Sequence, residues 1–157
     1  MNKFLLAVHV LAAIVAVGPV TVAASMFPPS ARKALAEPGD AQALSTVRVL
    51  HRICRVYATV GVAVPVFGFA TAKNMGVLGD TWLIVSIALT ALAAVVLAAL
   101  VLPRQTALIE DVEGIGTGGE GARRATARLA MVTGLFNLLW ATVTVLMIVR
   151  PGSTTGA

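Results

Sequence analysis

Charge, cysteine and histidine are all scarce in this chain. Of its 157 residues only 12% are charged, against roughly a quarter in an ordinary soluble domain. The single cysteine, Cys54, excludes an intramolecular disulfide and any CxxC metal or redox pair. It lies between Arg52 and Arg55, where a cation favours the thiolate, but a small packing residue is the plainer reading. Two histidines, His9 and His51, are all that a metal or haem could use. Paired histidines do ligate haem in membrane cytochromes. Here His9 falls near the start of the first apolar run and His51 just before the second, about 25 Å apart along a helical bundle at 1.5 Å rise per residue, so no single cofactor is held by both. No Asp or Glu lies within the long apolar runs, which removes the usual carboxylates of proton relays. No nucleophile, base and orienting group can be assembled, so the expectation is not an enzyme and no cofactor.

What the chain has in quantity is apolar sequence: 58% hydrophobic residues and a mean hydropathy of +0.91. Four long apolar runs occupy residues 4–27, 53–72, 81–102 and 129–149. A hydrocarbon core of roughly 30 Å needs about 20 helical residues, and each run suffices. The expected fold is therefore all-α, an integral membrane four-helix bundle running up-down-up-down as one domain over residues 1–157. The polar stretches, about 28–52 and 103–128, are too short for a core of their own and are read as loops or extensions of the membrane helices. A signal-peptide reading of the first run, with Lys3 before it and Ala23, Ala24 and Ser25 near its end, is set aside because the run exceeds a usual signal core.

The net charge of +5 follows membrane topology rather than a nucleic-acid surface, since the cations lack aromatic interleaving. After the first and third runs stand Arg32, Lys33, Arg48, Arg52, Arg55, Arg104, Arg123, Arg124 and Arg128; the other side holds Lys3, Lys73 and Arg150. The positive-inside rule then puts both long loops in the cytoplasm and both termini outside a bacterial plasma membrane.

Local signals refine the plan. Glu37-Pro38-Gly39-Asp40 supplies a turn and an N-cap, after which helical residues lead straight into the second span. On that projection Arg48, Arg52 and Arg55 share one face, with His51 beside them, as an anchor for anionic lipid or a docking face for an acidic partner. In the second long loop Glu110, Asp111 and Glu113 face Arg123, Arg124 and Arg128 across Gly114 to Gly121. That run lacks the Gly-Lys-Ser/Thr ending of a phosphate loop and reads as a tether. The first and third helices are expected to end at Pro28-Pro29 and Pro103-Arg104, a weak sign of a duplicated hairpin. Gly18-Pro19 and Pro65 should bend their helices, each freeing a carbonyl for neighbours such as Thr21 or Thr59. Small residues every fourth position, Ser86, Thr90, Ala94 and Ala98 on the third helix and Ala130 with Gly134 on the fourth, suggest close packing, and Asn137 a hydrogen bond between helices. His9 is expected to bond a neighbouring helix or subunit, or to sit in the outer interface.

The opening Lys3-Phe4-Leu5-Leu6-Ala7-Val8-His9-Val10-Leu11-Ala12-Ala13 resembles the start of a broad family of small, mostly uncharacterised bacterial four-helix membrane proteins. Copper-resistance membrane proteins share this opening but bring further histidines, and an aromatic common before the family glycine is Val17 here. The composition, with nine Arg to three Lys, looks actinobacterial. In size and plan the chain also resembles the respiratory supercomplex association factors found beside cytochrome bcc and aa3-type oxidase complexes. That resemblance implies a non-catalytic accessory or assembly subunit in the respiratory chain, with electron-transport subunits as partners beside the anionic lipids that the arginine face suggests. The alternative is a small-molecule or metal carrier acting as a homo-oligomer.

Overall fold

The computed structural model describes residues 2–114 and 119–152 and is helical almost throughout. Helix α1 spans Asn2–Ala36, α2 Ala41–Val60, α3 Ala63–Met75, α4 Thr81–Val95, α5 Leu102–Val112 and α6 Glu120–Val149, with a π-helical segment at Val96–Val101. They combine into four rods, each long and apolar enough to cross a membrane: Lys3–Ala36, Ala41–Met75, Thr81–Val112 and Glu120–Val149. The fold is an all-α four-helix membrane bundle.

Two proline expectations are corrected by the geometry. Helix α1 does not stop at Pro28-Pro29 but runs through to Ala36. Interior proline costs a helix about 3 kcal/mol; here the continuation puts Phe27, Ala31 and Ala34, each almost wholly buried, into one cluster with Ala43 and Val47 of α2. The third rod likewise passes Pro103 and ends at Val112. Proline cannot donate to the carbonyl four residues back and crowds it, and the backbone answers by widening. The Leu102 amide reaches back five residues to the Leu97 carbonyl, a π turn. The stretches 28–52 and 103–114 are thus mostly helix rather than loop.

Pro65 has a different outcome. Its missing donor leaves the Gly61 carbonyl free, and the chain tightens instead of widening. The Val64 amide takes that carbonyl at 3.1 Å and Val62 bonds Thr59 at 3.2 Å, both three residues apart. The second rod therefore breaks between α2 and α3 at Gly61-Val62. Thr59 does not serve the freed carbonyl, as its hydroxyl bonds Arg55 at 3.1 Å.

The turns follow their residues. Gly39 at φ +94° lets the chain reverse after α1. Asp40 then caps α2, accepting from the Gln42 amide at 2.9 Å and the Ala43 amide at 3.2 Å. These two amides hold the Asp40 carboxyl below its ordinary pKa. Gly76, left-handed at φ +71°, closes α3.

Packing is uneven along the bundle axis. The main cluster draws on Val20 to Ala34, Ala43 to Cys54, Ala93 to Leu108 and Ala122 to Phe136, all in the half next to the two long connections. Toward the opposite end a smaller cluster joins Ala72, Trp82 and Leu83, with Val77 and Met147 against them. There α3 lies on α1 and α4 on α6. Trp82 ties the second hairpin at that end: its indole donates to Asp80 at 3.0 Å, and the Arg150 guanidinium stands 5.7 Å over its ring.

The buried face of the third rod passes through Ser86, Ala93 and Leu97, whereas Ala94 and Ala98 are exposed. A strict four-residue step advances 400° and so drifts about 40° per step from a helix face of period 3.6. Replacing Ala93 by Leu should lower unfolding stability by about 1–3 kcal/mol, and Ala94→Leu should be nearly neutral; thermal unfolding in mild detergent decides, and equal costs would contradict this face. Because the Asp40 carboxyl titrates low in the fold, its capping contribution is present above the ordinary carboxylate range and lost as pH falls through the depressed value. Asp40→Ala should lower the melting temperature near neutral pH and flatten its fall on acidification.

Candidate functional site

The polar side chains of the spans gather in three places, each between rods. At the end of the bundle next to the long connections, α2 and α5 run side by side and form a polar seam. Arg48 donates through Nε at 3.0 Å and also through Nη2 to the same Glu113 carboxylate oxygen. One turn on, His51 Nδ1 donates to Gln105 Oε1 at 2.9 Å. The Gln105 amide in turn donates to Cys54 Sγ at 3.5 Å, and Thr106 Oγ1 stands 3.5 Å from His51 Nε2. Gln105 and Cys54 are fully buried. The widened turn before Pro103 helps place Gln105, since one extra residue in a helical turn rotates all that follows.

Cys54 accepts its hydrogen bond at full burial. His51 is held through Nδ1 by an amide oxygen, with its Nε2 toward the Thr106 hydroxyl. What the seam does is join the first hairpin to the second with directional bonds, and leaving any one member unpaired costs about 1–3 kcal/mol.

The second place is the contact of α1 with α3. His9, mostly buried, has Nδ1 2.9 Å from the Val64 carbonyl, so Nδ1 carries the proton and donates. The ring lies against Gly68, where an added Cβ would stand 2.8 Å from Cε1 and 3.1 Å from Nδ1. Glycine is required by this approach, and the contact sits just past the Gly61-Val62 break. The third place is between α1 and α6, where Asn137 Nδ2 donates to Ser25 Oγ at 3.1 Å. Asn137 Oδ1 and the nearby Thr133 Oγ1 are buried without partners.

The remaining sequence candidates are distributed as follows. Arg52, Arg55, Arg123, Arg124 and Arg128 are exposed. Arg48 and His51 are drawn into the seam. Arg48 rather than the basic arm of α6 takes Glu113, and Arg124 reaches only Glu120 of its own helix at 3.4 Å. Gly114 to Gly121 includes residues 115–118, which lie outside the described residues. The hydroxyls of Ser86 and Thr90 bond their own helix, to the Trp82 and Ser86 carbonyls, both at 2.7 Å. Ala94 and Ala98 face outward, Ala130 is half-buried, and a Cβ on Gly134 would meet nothing within 4 Å. Sequence reasoning passed over Gln105 and Gly68. A buried glutamine one turn past an apolar run, and a glycine four residues beyond a broken turn, were the available signals, but neither names its partner.

His9 bonds α3 and His51 bonds α5 at different ends of the bundle. Among the described residues no group of three or more His, Cys, Asp or Glu could hold a metal ion.

Four spanning rods held by interhelical polar links define a multi-pass α-helical membrane protein. The chain belongs to the family described as predicted integral membrane protein (DUF2269), which matches residues 3–151. No curated protein and no solved structure matches it.

The His9–Gly68 contact is testable by a double-mutant cycle. Gly68→Ala should destabilise the protein by about 1–3 kcal/mol through overpacking, and the penalty should largely vanish in a His9→Ala background. An undiminished penalty there would mean that the alanine clashes elsewhere.

Proposed function

We propose that this protein is a non-catalytic accessory subunit of a larger membrane complex. The observation that carries this reading is where the reactive side chains point. His9 bonds Val64 and His51 bonds Gln105, while Gln105 in turn bonds Cys54. The chemistry is turned inward as structural links, and what the chain offers to others is surface. That surface has two parts: apolar flanks carrying Phe4, Ile14, Met131, Leu138 and Ile148, suited to lipid or to neighbouring spans, and exposed cations at one end. With Arg48 tied to Glu113, Arg52 and Arg55 are the members of the α2 face left to dock on an acidic partner segment or an anionic lipid surface.

The respiratory assignment, a cytochrome bcc and aa3-type oxidase assembly of an actinobacterial plasma membrane, is supported by the resemblance in size and four-span plan. The cation asymmetry supports long connections in the cytoplasm and termini outside. A second reading, a small-molecule carrier working as a homo-oligomer, is favoured by one observation: Thr133 Oγ1 and Asn137 Oδ1 are buried and unbonded in the fourth span, as groups along a polar path would be.

Purification of the tagged protein from its native membrane in mild detergent, followed by native gel and mass spectrometry, separates these readings. Co-migration with oxidase and cytochrome subunits is expected, and Arg52→Gln with Arg55→Gln should weaken it without affecting insertion. Migration alone or as a small homo-oligomer would overturn the accessory reading and favour the carrier.

A further inference from the structure

At the basic end of the bundle, beside α5 and the first turns of α6, lies a cavity of about 330 Å³, lined by Arg104, Gly121, Arg124, Ala125 and Arg128. Three of the five lining residues are arginines, and none of the described residues lining it is a carboxylate. Gly121 and Ala125 keep the α6 wall low, while part of the Arg104 guanidinium is packed away from solvent at its edge.

The arginines differ in state. Arg124 and Arg128 are exposed, whereas Arg104 is half-buried, and its Nη1 is cut off from solvent with no hydrogen-bond acceptor in reach. A buried guanidinium donor without an acceptor is unfavourable, and the group that relieves it best is an anionic oxygen. Arg124 has only the long contact to Glu120, with both side chains largely in solvent, which leaves its fork free to turn into the cavity. The start of α6 adds to this field. Its first-turn amides lack carbonyls of their own helix, and Gly119 before them offers no side-chain cap.

Depth identifies the ligand. Arg104 lies two residues past the apolar run 81–102, and Arg128 immediately precedes the run 129–149. Both therefore stand at the boundary between hydrocarbon and water, where the phosphate groups of a bilayer leaflet lie. A soluble anion would need no such registration with the membrane surface.

We propose that this cavity binds the phosphate of an anionic phospholipid headgroup, with Arg104 and Arg128 gripping the phosphate oxygens and Arg124 closing the outer side, while the acyl chains run into the hydrocarbon along the π-helical segment and α4 beside α6. The site is distinct from the exposed Arg52 and Arg55 and does not depend on the accessory-subunit reading, since the purified protein alone suffices to test it.

The test is native mass spectrometry and thermal unfolding of the full chain in an uncharged detergent, titrated with phosphatidylglycerol, with phosphatidylcholine and with inorganic phosphate. Retained phosphatidylglycerol and a raised melting temperature are expected, with little effect of phosphatidylcholine or millimolar phosphate. Arg104→Gln and Arg128→Gln should each weaken binding about fivefold or more, and Arg104→Lys, which keeps the charge but not the fork, should weaken it less than Arg104→Gln. Arg32→Gln, which removes an exposed cation at the same end but away from the cavity, should bind as the parent does. Equal retention of both lipids, or unchanged binding by the Arg104 and Arg128 variants, would overturn the site. Saturation by inorganic phosphate alone would overturn the lipid as its source. Folding of each variant is checked by its melting temperature without lipid, and Arg104→Lys keeps the test open should Arg104→Gln fail to fold.

Discussion

Inside a hydrocarbon layer a backbone carbonyl that loses its amide has no water to turn to. The consequences of that constraint run through the bundle, because prolines lie within three of its four rods and change the helix in two of them. At Pro65 the chain compensates by tightening, with the Val64 amide closing on Gly61, and the rod breaks into α2 and α3. At Pro103 it compensates by widening, with the Leu102 amide reaching back to Leu97. The two repairs act oppositely on helical phase. The polar contacts between rods lie beside them: His9 meets Val64 and Gly68 just beyond the first, and Gln105 meets His51 and Cys54 just beyond the second.

This gives the bundle a tight end and a loose end. Lipid supplies no hydrophobic drive between helices, so packing and hydrogen bonding must hold them. Near the long connections both are present: a continuous buried cluster from all four rods and the Arg48, His51, Cys54, Gln105, Glu113 seam across the two hairpins. At the other end each hairpin has its own fastening, His9 on Gly68 in the first and Arg150 over Trp82 in the second, with little core shared between them. Docking or lipid binding at the tight end acts on a rigid surface.

Hydropathy alone made the four spans legible, because crossing a bilayer requires a length of apolar chain and little else about the sequence changes that requirement. Helix ends were less legible. Pro28-Pro29 reads locally as a stop, and only the burial of Ala31 and Ala34 against α2 shows why the helix continues. The Ser86, Thr90, Ala94, Ala98 series looks like one face in the sequence because its spacing is regular, yet a period of four wanders off a face of period 3.6. Partners were the least legible of all. Glu113 has several cations within reach in the linear sequence, and its choice of Arg48 depends on how α5 lies along α2. Asn137 announced that it would bond another helix, but not that Ser25 would answer.

The cations of the basic end show how a topological rule and a site can be told apart. The positive-inside rule accounts for a surplus of arginine and lysine on one side of the membrane, and it is satisfied by cations standing freely in water, as Arg52, Arg55 and Arg123 do. It gives no reason for a guanidinium to be drawn between two helices and desolvated. Arg48, whose side chain stays largely in solvent, has its carboxylate on Glu113. Arg104 has no such partner, although Pro103 and the π turn before it fix the phase that carries it toward α6. A device of that kind, a charged donor turned inward at the depth of lipid phosphate, is better understood as half of an interaction than as an orientation signal.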